Sequence, residues 1–220
     1  MMIFDRPVIL VGHGEVDETR LVDMARHYPL IALDGGFRHL KALGLDADVI
    51  IGDMDSCADA EIAEDAEILK LDEQDSNDFE KALYSVEAPY FIGFGLLGGR
   101  LDQVMANLHG LVKYQAHKKI ILISPYEVLC CLKGAVEIDL RADCACAILP
   151  IEPICFKASS GLRYPIDGLL LKMGEMISSS NHLENRNLSL IPIQEDLAKP
   201  YLISCAPEAL DDMLTYLEKA

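Results

Sequence analysis

Apolar and polar positions follow one rhythm up to about residue 127 and a different one afterwards. In the first part, short runs of aliphatic and β-branched residues at 7–11, 30–33, 48–51, 68–71, 90–94 and 119–123 predict strands. Between them, residues 15–28, 37–43, 76–86 and 101–115 carry the spacing of helices with one apolar face. Strands alternating with helices predict βαβ units and a mainly parallel sheet, with ligands gathered at the carboxyl ends of the strands.

From residue 128 the helical spacing gives way to short apolar runs at 128–132, 136–140, 144–149, 169–172, 188–193 and 201–204. Gly134, Pro150, Pro153, Gly161, Gly168 and Gly174 punctuate them, which predicts a small antiparallel β domain. Residues 207–219 close the chain with Leu210, Met213, Leu214 and Leu217 at helical spacing and Pro207 in the first turn. The expected fold class is α/β, with an α/β domain over residues 1–127 tightly joined to an antiparallel β domain over 128–220.

Composition narrows the partners. Hydrophobic residues make up 51% of the 220 and charged residues 25%, enough for a packed core. With 36 acidic against 19 basic residues the formal charge is -17, so nucleic-acid backbones and anionic membranes are repelled. No run approaches the ~18 apolar residues of a spanning helix, and MMIFDRPVILVGHGEVDE lacks the apolar stretch of a secretory signal. A cytoplasmic protein is expected. The seven cysteines show no CxxC spacing; Cys130 and Cys131 adjoin, and Cys144 and Cys146 alternate as on one strand face. Buried reduced thiols are predicted in place of disulfides or zinc.

The polar motifs fall where the strands end. Gly52-Asp53-Met54-Asp55-Ser56 leaves the strand at 48–51 with two carboxylates two residues apart, suited either to a solvated turn or to Mg²⁺. In Glu73-Gln74-Asp75-Ser76-Asn77-Asp78-Phe79-Glu80-Lys81, Ser76 or Asp75 is placed to cap a helix, and Lys81 shares a face with Asp78. Gly98-Gly99-Arg100-Leu101-Asp102-Gln103 opens another helix, with glycines for close backbone approach and an arginine fork for phosphate. Asp34-Gly35-Gly36 has the same placement after an earlier strand. Several Gly–Asp pairs on one sheet edge point to a metal–phosphate site. Gly12-His13-Gly14 begins like a dinucleotide fingerprint, but Asp17 stands where the third glycine belongs, and there is no P-loop. The six histidines have no ligand spacing; His13 alone lies near a strand end.

Together, LDGGFRHL, DVIIGDMDS, EQDSNDFEKAL, GGRLDQVMANL, GLRYPI and GEMISSSN resemble the thiamin pyrophosphokinase family in order and spacing over nearly the whole chain. The resemblance implies a Rossmann-like catalytic domain, a C-terminal β-sandwich and a homodimer. It implies Mg²⁺ held by Asp53, Asp55, Asp78 and Asp102, with Asp34, Gly35, Gln74, Asn77, Lys81 and Arg100 seating ATP. Ser178, Ser180 and Asn181, on a serine-rich loop, would hold thiamin. Asn77 stands where the family usually has threonine, Gln103 where many members have histidine, and the proline usual before the GDxDS strand is missing.

The expected reaction is in-line attack by the thiamin hydroxyl on the β-phosphorus of ATP, giving thiamin diphosphate and AMP. Three alternatives remain open at this level. One is a pyrophosphokinase for another alcohol such as a hydroxymethylpterin, and another a non-catalytic thiamin- or nucleotide-binding relative. The third is a phosphatase using a nucleophilic aspartate, although Cys57 occupies the place of its usual threonine or valine.

Overall fold

A computed structural model describes residues 1–54, 66–141 and 143–219. The chain divides into two compact units, Met1–Pro125 and Tyr126–Ala220.

The first unit contains β1 (Met2–Ile3), β2 (Val8–Val11), α1 (Glu18–Ala25), β3 (Leu30–Leu33), α2 (Phe37–Ala42), β4 (Val49–Gly52) and β5 (Glu67–Lys70). It continues through α3 (Asp78–Ser85), β6 (Val86–Glu87), β7 (Phe91–Phe94), α4 (Leu101–Tyr114) and β8 (Ile120–Ile123). Strands β2, β3, β4, β7 and β8 are buried along their whole length. Such continuous apolar runs suit a parallel sheet covered on both faces. All their pairings are parallel, in the order β8-β7-β2-β3-β4-β5. Strand β5, with Glu67, Ile68 and Lys70 exposed, forms the edge. A separate two-residue ribbon pairs β1 with β6.

The strand order sets the site. From β2 the chain steps outward to β3, β4 and β5, then returns to place β7 on the other side of β2, with β8 beyond it. Connections therefore leave β2 and β7 in opposite directions, and a crevice opens beyond their carboxyl ends.

The second unit contains β9 (Val128–Lys133), β10 (Val136–Asp139), β11 (Cys144–Pro150), β12 (Ile154–Ser160), β13 (Leu170–Leu171), β14 (Ser178–Leu183), β15 (Asn187–Pro192), β16 (Pro200–Cys205) and α5 (Leu210–Lys219). Two antiparallel sheets run β14-β11-β16-β9 and β10-β15-β12-β13. They meet where Phe156 of β12 packs edge-on against Tyr201 of β16, ring centroids 5.2 Å apart and both side chains fully buried. The Tyr201 hydroxyl donates to the Gly134 carbonyl at 2.8 Å, which satisfies its one polar atom. Cys144, Cys146 and Ile148 alternate inward along β11, and all six described cysteines are free thiols.

Strands β12 and β14 were not foreseen. The second half of β12 is polar, and the serine-rich segment expected as a loop is β14, paired antiparallel with β11 through a bulge. Its Ser and Asn residues favour turns in isolation, but tertiary pairing overrides that preference. The cap of α3 also differs: Asn77, not Ser76 or Asp75, accepts the Glu80 N–H at 2.9 Å.

Truncating the ring that joins the two sheets tests the second unit's core. Phe156→Ala is expected to cost about 3–5 kcal/mol, read as a lowered denaturant midpoint with little change in slope.

Candidate active site

A cavity of ≈ 880 Å³ occupies the crevice beyond β2 and β7, within the first unit. Its walls come from the segments that follow β2, β3, β4 and β7 and from the starts of α3 and α4. The distance between its two sides is set by glycines. A Cβ on Gly12 would lie 2.6 Å from the Gly95 carbonyl oxygen, and one on Gly95 2.5 Å from that of Gly12. Past this contact Gly98 and Gly99 adopt φ of 85° and 79°, a left-handed path that side-chain-bearing residues rarely take. That path carries Arg100 to the cavity rim.

Acidic groups enter from separate strand ends. Asp34 follows β3, Asp53 follows β4, and Asp78 begins α3. Gln74 donates to Asp53 at 3.2 Å. Asp78 is held above the usual carboxylate range chiefly by its burial; the hydrogen bond and charge of Lys81 oppose this, while the charges of Asp34 and Asp53 reinforce it. Asp78 thus feels both neighbouring carboxylates. Lys81 Nζ lies 3.2 Å from Asp78 Oδ1, its side chain only 3% exposed. So paired and so little exposed, the lysine is held in one place on the cavity wall.

The sequence-predicted residues Asp34, Gly35, Asp53, Gln74, Asn77, Asp78, Lys81 and Arg100 all line this one cavity. Asp55 lies outside the described residues, as does Cys57. Asp102 stands apart from the lining: it takes a bidentate grip from Arg100, at 3.1 Å from Nε and 2.6 Å from Nη2. That pairing draws the Asp102 carboxyl down and the exposed guanidinium up. Among the described residues no three His, Cys, Asp or Glu side chains cluster closely enough to hold a metal alone. A carboxylate pair with water and phosphate completing the shell is nevertheless the donor set that Mg²⁺ takes, and Asp53 and Asp78 fit it.

In the second unit, Ser178 and Asn181 are buried and Ser180 is exposed at φ 54°. The Asn181 amide is committed within its own fold. It accepts from the Tyr164 N–H at 3.1 Å, and donates to the Tyr164 carbonyl at 2.7 Å and to Ser178 Oγ at 3.0 Å. Asn181 thereby pins the 161–166 segment to β14.

Arg38 and Asn107 are among the wall residues that escaped the sequence reading. Arg38 stands in the first turn of α2, one turn beyond the Asp34 motif, a cation already adjacent to a suspected phosphate site. Asn107 is a buried amide on the apolar face of α4, and a polar residue at a core position is itself a signal.

The fold and site together define a class: an α/β unit with a charged cleft at its topological switch point, followed by an antiparallel β unit. Family models bear on both units. The model for "Thiamin pyrophosphokinase, catalytic domain" matches residues 24–123, and that for "Thiamin pyrophosphokinase, vitamin B1 binding domain" matches residues 135–190. The chain belongs to the thiamin pyrophosphokinase family. It is 29% identical over 157 residues to thiamin pyrophosphokinase 1 of Caenorhabditis elegans, covering 64% of this chain and 65% of the relative. It is 28% identical over 163 residues to thiamine pyrophosphokinase 1 of Oryza sativa subsp. japonica, covering 65% and 61%. The chain therefore spans somewhat less than two thirds of the curated relatives it matches.

Among solved structures, thiamin pyrophosphokinase from Candida albicans superposes with a TM-score of 0.78 at 16% identity, over 92% of this chain and 89% of that one. Thiamine pyrophosphokinase from Bacillus subtilis gives 0.76 at 20%, over 91% and 99%. At these identities the likeness concerns the fold.

Glu73 anchors the segment that presents Gln74 and Asn77. It accepts from the Ser76 hydroxyl, from Tyr84 at 2.9 Å, and from the backbone N–H groups of Asp75 at 2.8 Å and Ser76 at 3.1 Å. The Ser76 hydroxyl, followed by these other donors, lowers its pKa from 4.5 to about 2. A depressed carboxyl stabilises fully above its unfolded value and loses that contribution as pH falls through the folded one. The melting-temperature advantage of the native chain over Glu73→Gln is therefore expected to hold at neutral pH. It should shrink as pH falls from 4.5 toward about 2.

Proposed function

We propose that the protein is a Mg²⁺-dependent thiamin diphosphokinase, transferring the diphosphate of ATP to the thiamin hydroxyl and releasing AMP. The observation that carries this reading is the meeting of Asp53, Asp78, Lys81 and Arg100 at one switch-point cavity. The chain's match to both the catalytic and the vitamin B1 binding models supports it further.

Diphosphate transfer demands positioning and charge neutralisation more than covalent help. In this reading the Rossmann-like first unit supplies both. Asp53 and Asp78, with the sequence-predicted Asp55, would hold Mg²⁺, which would neutralise phosphate charge and let a strongly acidic protein accept an anionic substrate. Lys81, fixed by Asp78, meets a phosphate oxygen. Arg100 offers at the rim the N–H groups that its pairing with Asp102 leaves over. Asp102, read from the sequence as a further metal ligand, orients that arginine through their pairing. Gln74 steadies Asp53, while Asp34, Gly35 and Arg38 complete the nucleotide side.

In the second unit Ser180 is the exposed member of the expected thiamin contacts, and Ser178 and Asn181 shape the strand beneath it. Exposed Leu170, Met173 and Met176 offer the apolar surface that a homodimer would cover. The working form is read as a cytoplasmic homodimer. Among the described residues no helix is long and apolar enough to cross a membrane.

The test is direct. Purified protein given Mg²⁺, ATP and thiamin is expected to form thiamin diphosphate and AMP, and Asp53→Asn to lower turnover by about a hundredfold or more at saturating metal. Turnover unchanged in Asp53→Asn would overturn the metal assignment. AMP release with a pterin alcohol but not with thiamin would move the reading to another pyrophosphokinase.

A further inference from the structure

Three hydrogen bonds form a chain of amide groups along the cavity wall. The backbone N–H of Glu80 donates to Asn77 Oδ1 at 2.9 Å. Asn77 Nδ2 donates to Asn107 Oδ1 at 3.0 Å, and Asn107 Nδ2 donates to the Leu96 carbonyl at 2.8 Å. Both ends are backbone groups with fixed polarity, a donor at Glu80 and an acceptor at Leu96. Each side-chain amide can therefore sit only one way round: reversing either would set oxygen against oxygen or N–H against N–H.

The chain joins the parts that must agree for catalysis. Asn77 caps α3, whose first turn carries Asp78 and Lys81. Asn107 lies on α4, and Leu96 precedes the glycines that deliver Arg100. Other contacts hold the same elements. A Cβ on Gly110 of α4 would meet Phe79 and Glu80 of α3 at 3.2 and 3.1 Å. Lys113 of α4 reaches Glu80 at 2.5 Å. Leu96 is held from its other side, its methyls lying where a Cβ on Gly12 or Gly93 would fall, within 2.8 Å.

We infer that Asn77 and Asn107 act as one directional amide relay, a pair of positioning residues that lock Asp78 and Lys81 in register with the 98–100 loop. Asn77 is thereby assigned to the support of the site and not to direct contact with the nucleotide. The inference rests on the proposed diphosphokinase reading for its catalytic meaning, but not for its geometry. Where threonine is usual, the relay in this chain uses two atoms of Asn77, an acceptor for the cap and a donor for Asn107. Threonine offers a single oxygen one bond closer to the backbone. It can serve the cap but does not reach Asn107.

The experiment is a double-mutant cycle of Asn77→Thr and Asn107→Ala, with kcat, KM for ATP, KM for thiamin and melting temperature measured for each protein. Asn77→Thr should keep its melting temperature within a few degrees, because the cap survives. It should lose about tenfold or more in kcat with KM for ATP little changed, since the loss is one of alignment. The double variant should be no slower than the slower single variant. A loss confined to KM for ATP would make Asn77 a nucleotide ligand and overturn the relay. Losses that multiply in the double variant would overturn it too.

Hydrogen exchange at the Glu80 amide separates this inference from the functional one. Asn107→Ala should speed exchange at Glu80 although Asn77 and its cap remain in the sequence, whether or not the wild type turns over thiamin. Unchanged exchange there would overturn the relay. A wild type with no turnover but with coupled exchange would sink only the diphosphokinase reading.

Discussion

The site depends on how closely two backbones approach. At the ends of β2 and β7, Gly12 and Gly95 face each other so tightly that neither position admits a Cβ. Hydrogen bonds from the Gly12 N–H to the Phe94 carbonyl and from the Gly14 N–H to the Gly95 carbonyl, both 2.8 Å, close the contact. The strand order reverses at this seam, so the β3 and β4 ends deliver Asp34 and Asp53 on one side while the 95–100 loop delivers Arg100 on the other. Side chains at the seam would force the strands apart and separate the carboxylates from the cations.

The electrostatics follow from that convergence. A chain with a formal charge of -17 gains nothing by gathering more carboxylates in one crevice unless a cation offsets their repulsion. Asp78 records the tension: burial and the charges of Asp34 and Asp53 lift its pKa, and Lys81 partly offsets them. A divalent ion among these carboxylates would offset the repulsion that Lys81 offsets only in part. This is the physical basis for the proposal that metal and phosphate meet in the crevice.

Much of this was legible in the sequence because its signals were local. The aliphatic runs of the parallel strands and the Gly–Asp motifs at their ends announce a charged strand-end site without any knowledge of tertiary contacts. What stayed hidden depended on partners distant in the chain. Ser178–Leu183 reads as a turn until β11 is placed beside it. Asn77 emerges as the cap of α3 only when Asn107, thirty positions away, is seen to take its other amide atom. Asp102 looks equivalent to the other aspartates, yet the geometry at the start of α4 turns it toward Arg100. Motif spacing brings a residue to a neighbourhood; side-chain direction within it is a tertiary property.

The claim that separate strand ends serve one metal–phosphate centre is tested most directly by crystals grown with Mn²⁺ and a non-hydrolysable ATP analogue. The anomalous map is expected to show manganese bound by the carboxylates of Asp53 and Asp78, with the analogue's phosphates reaching Lys81 and Arg100. Manganese and nucleotide bound away from the crevice, with Asp53 and Asp78 contacting neither, would contradict it.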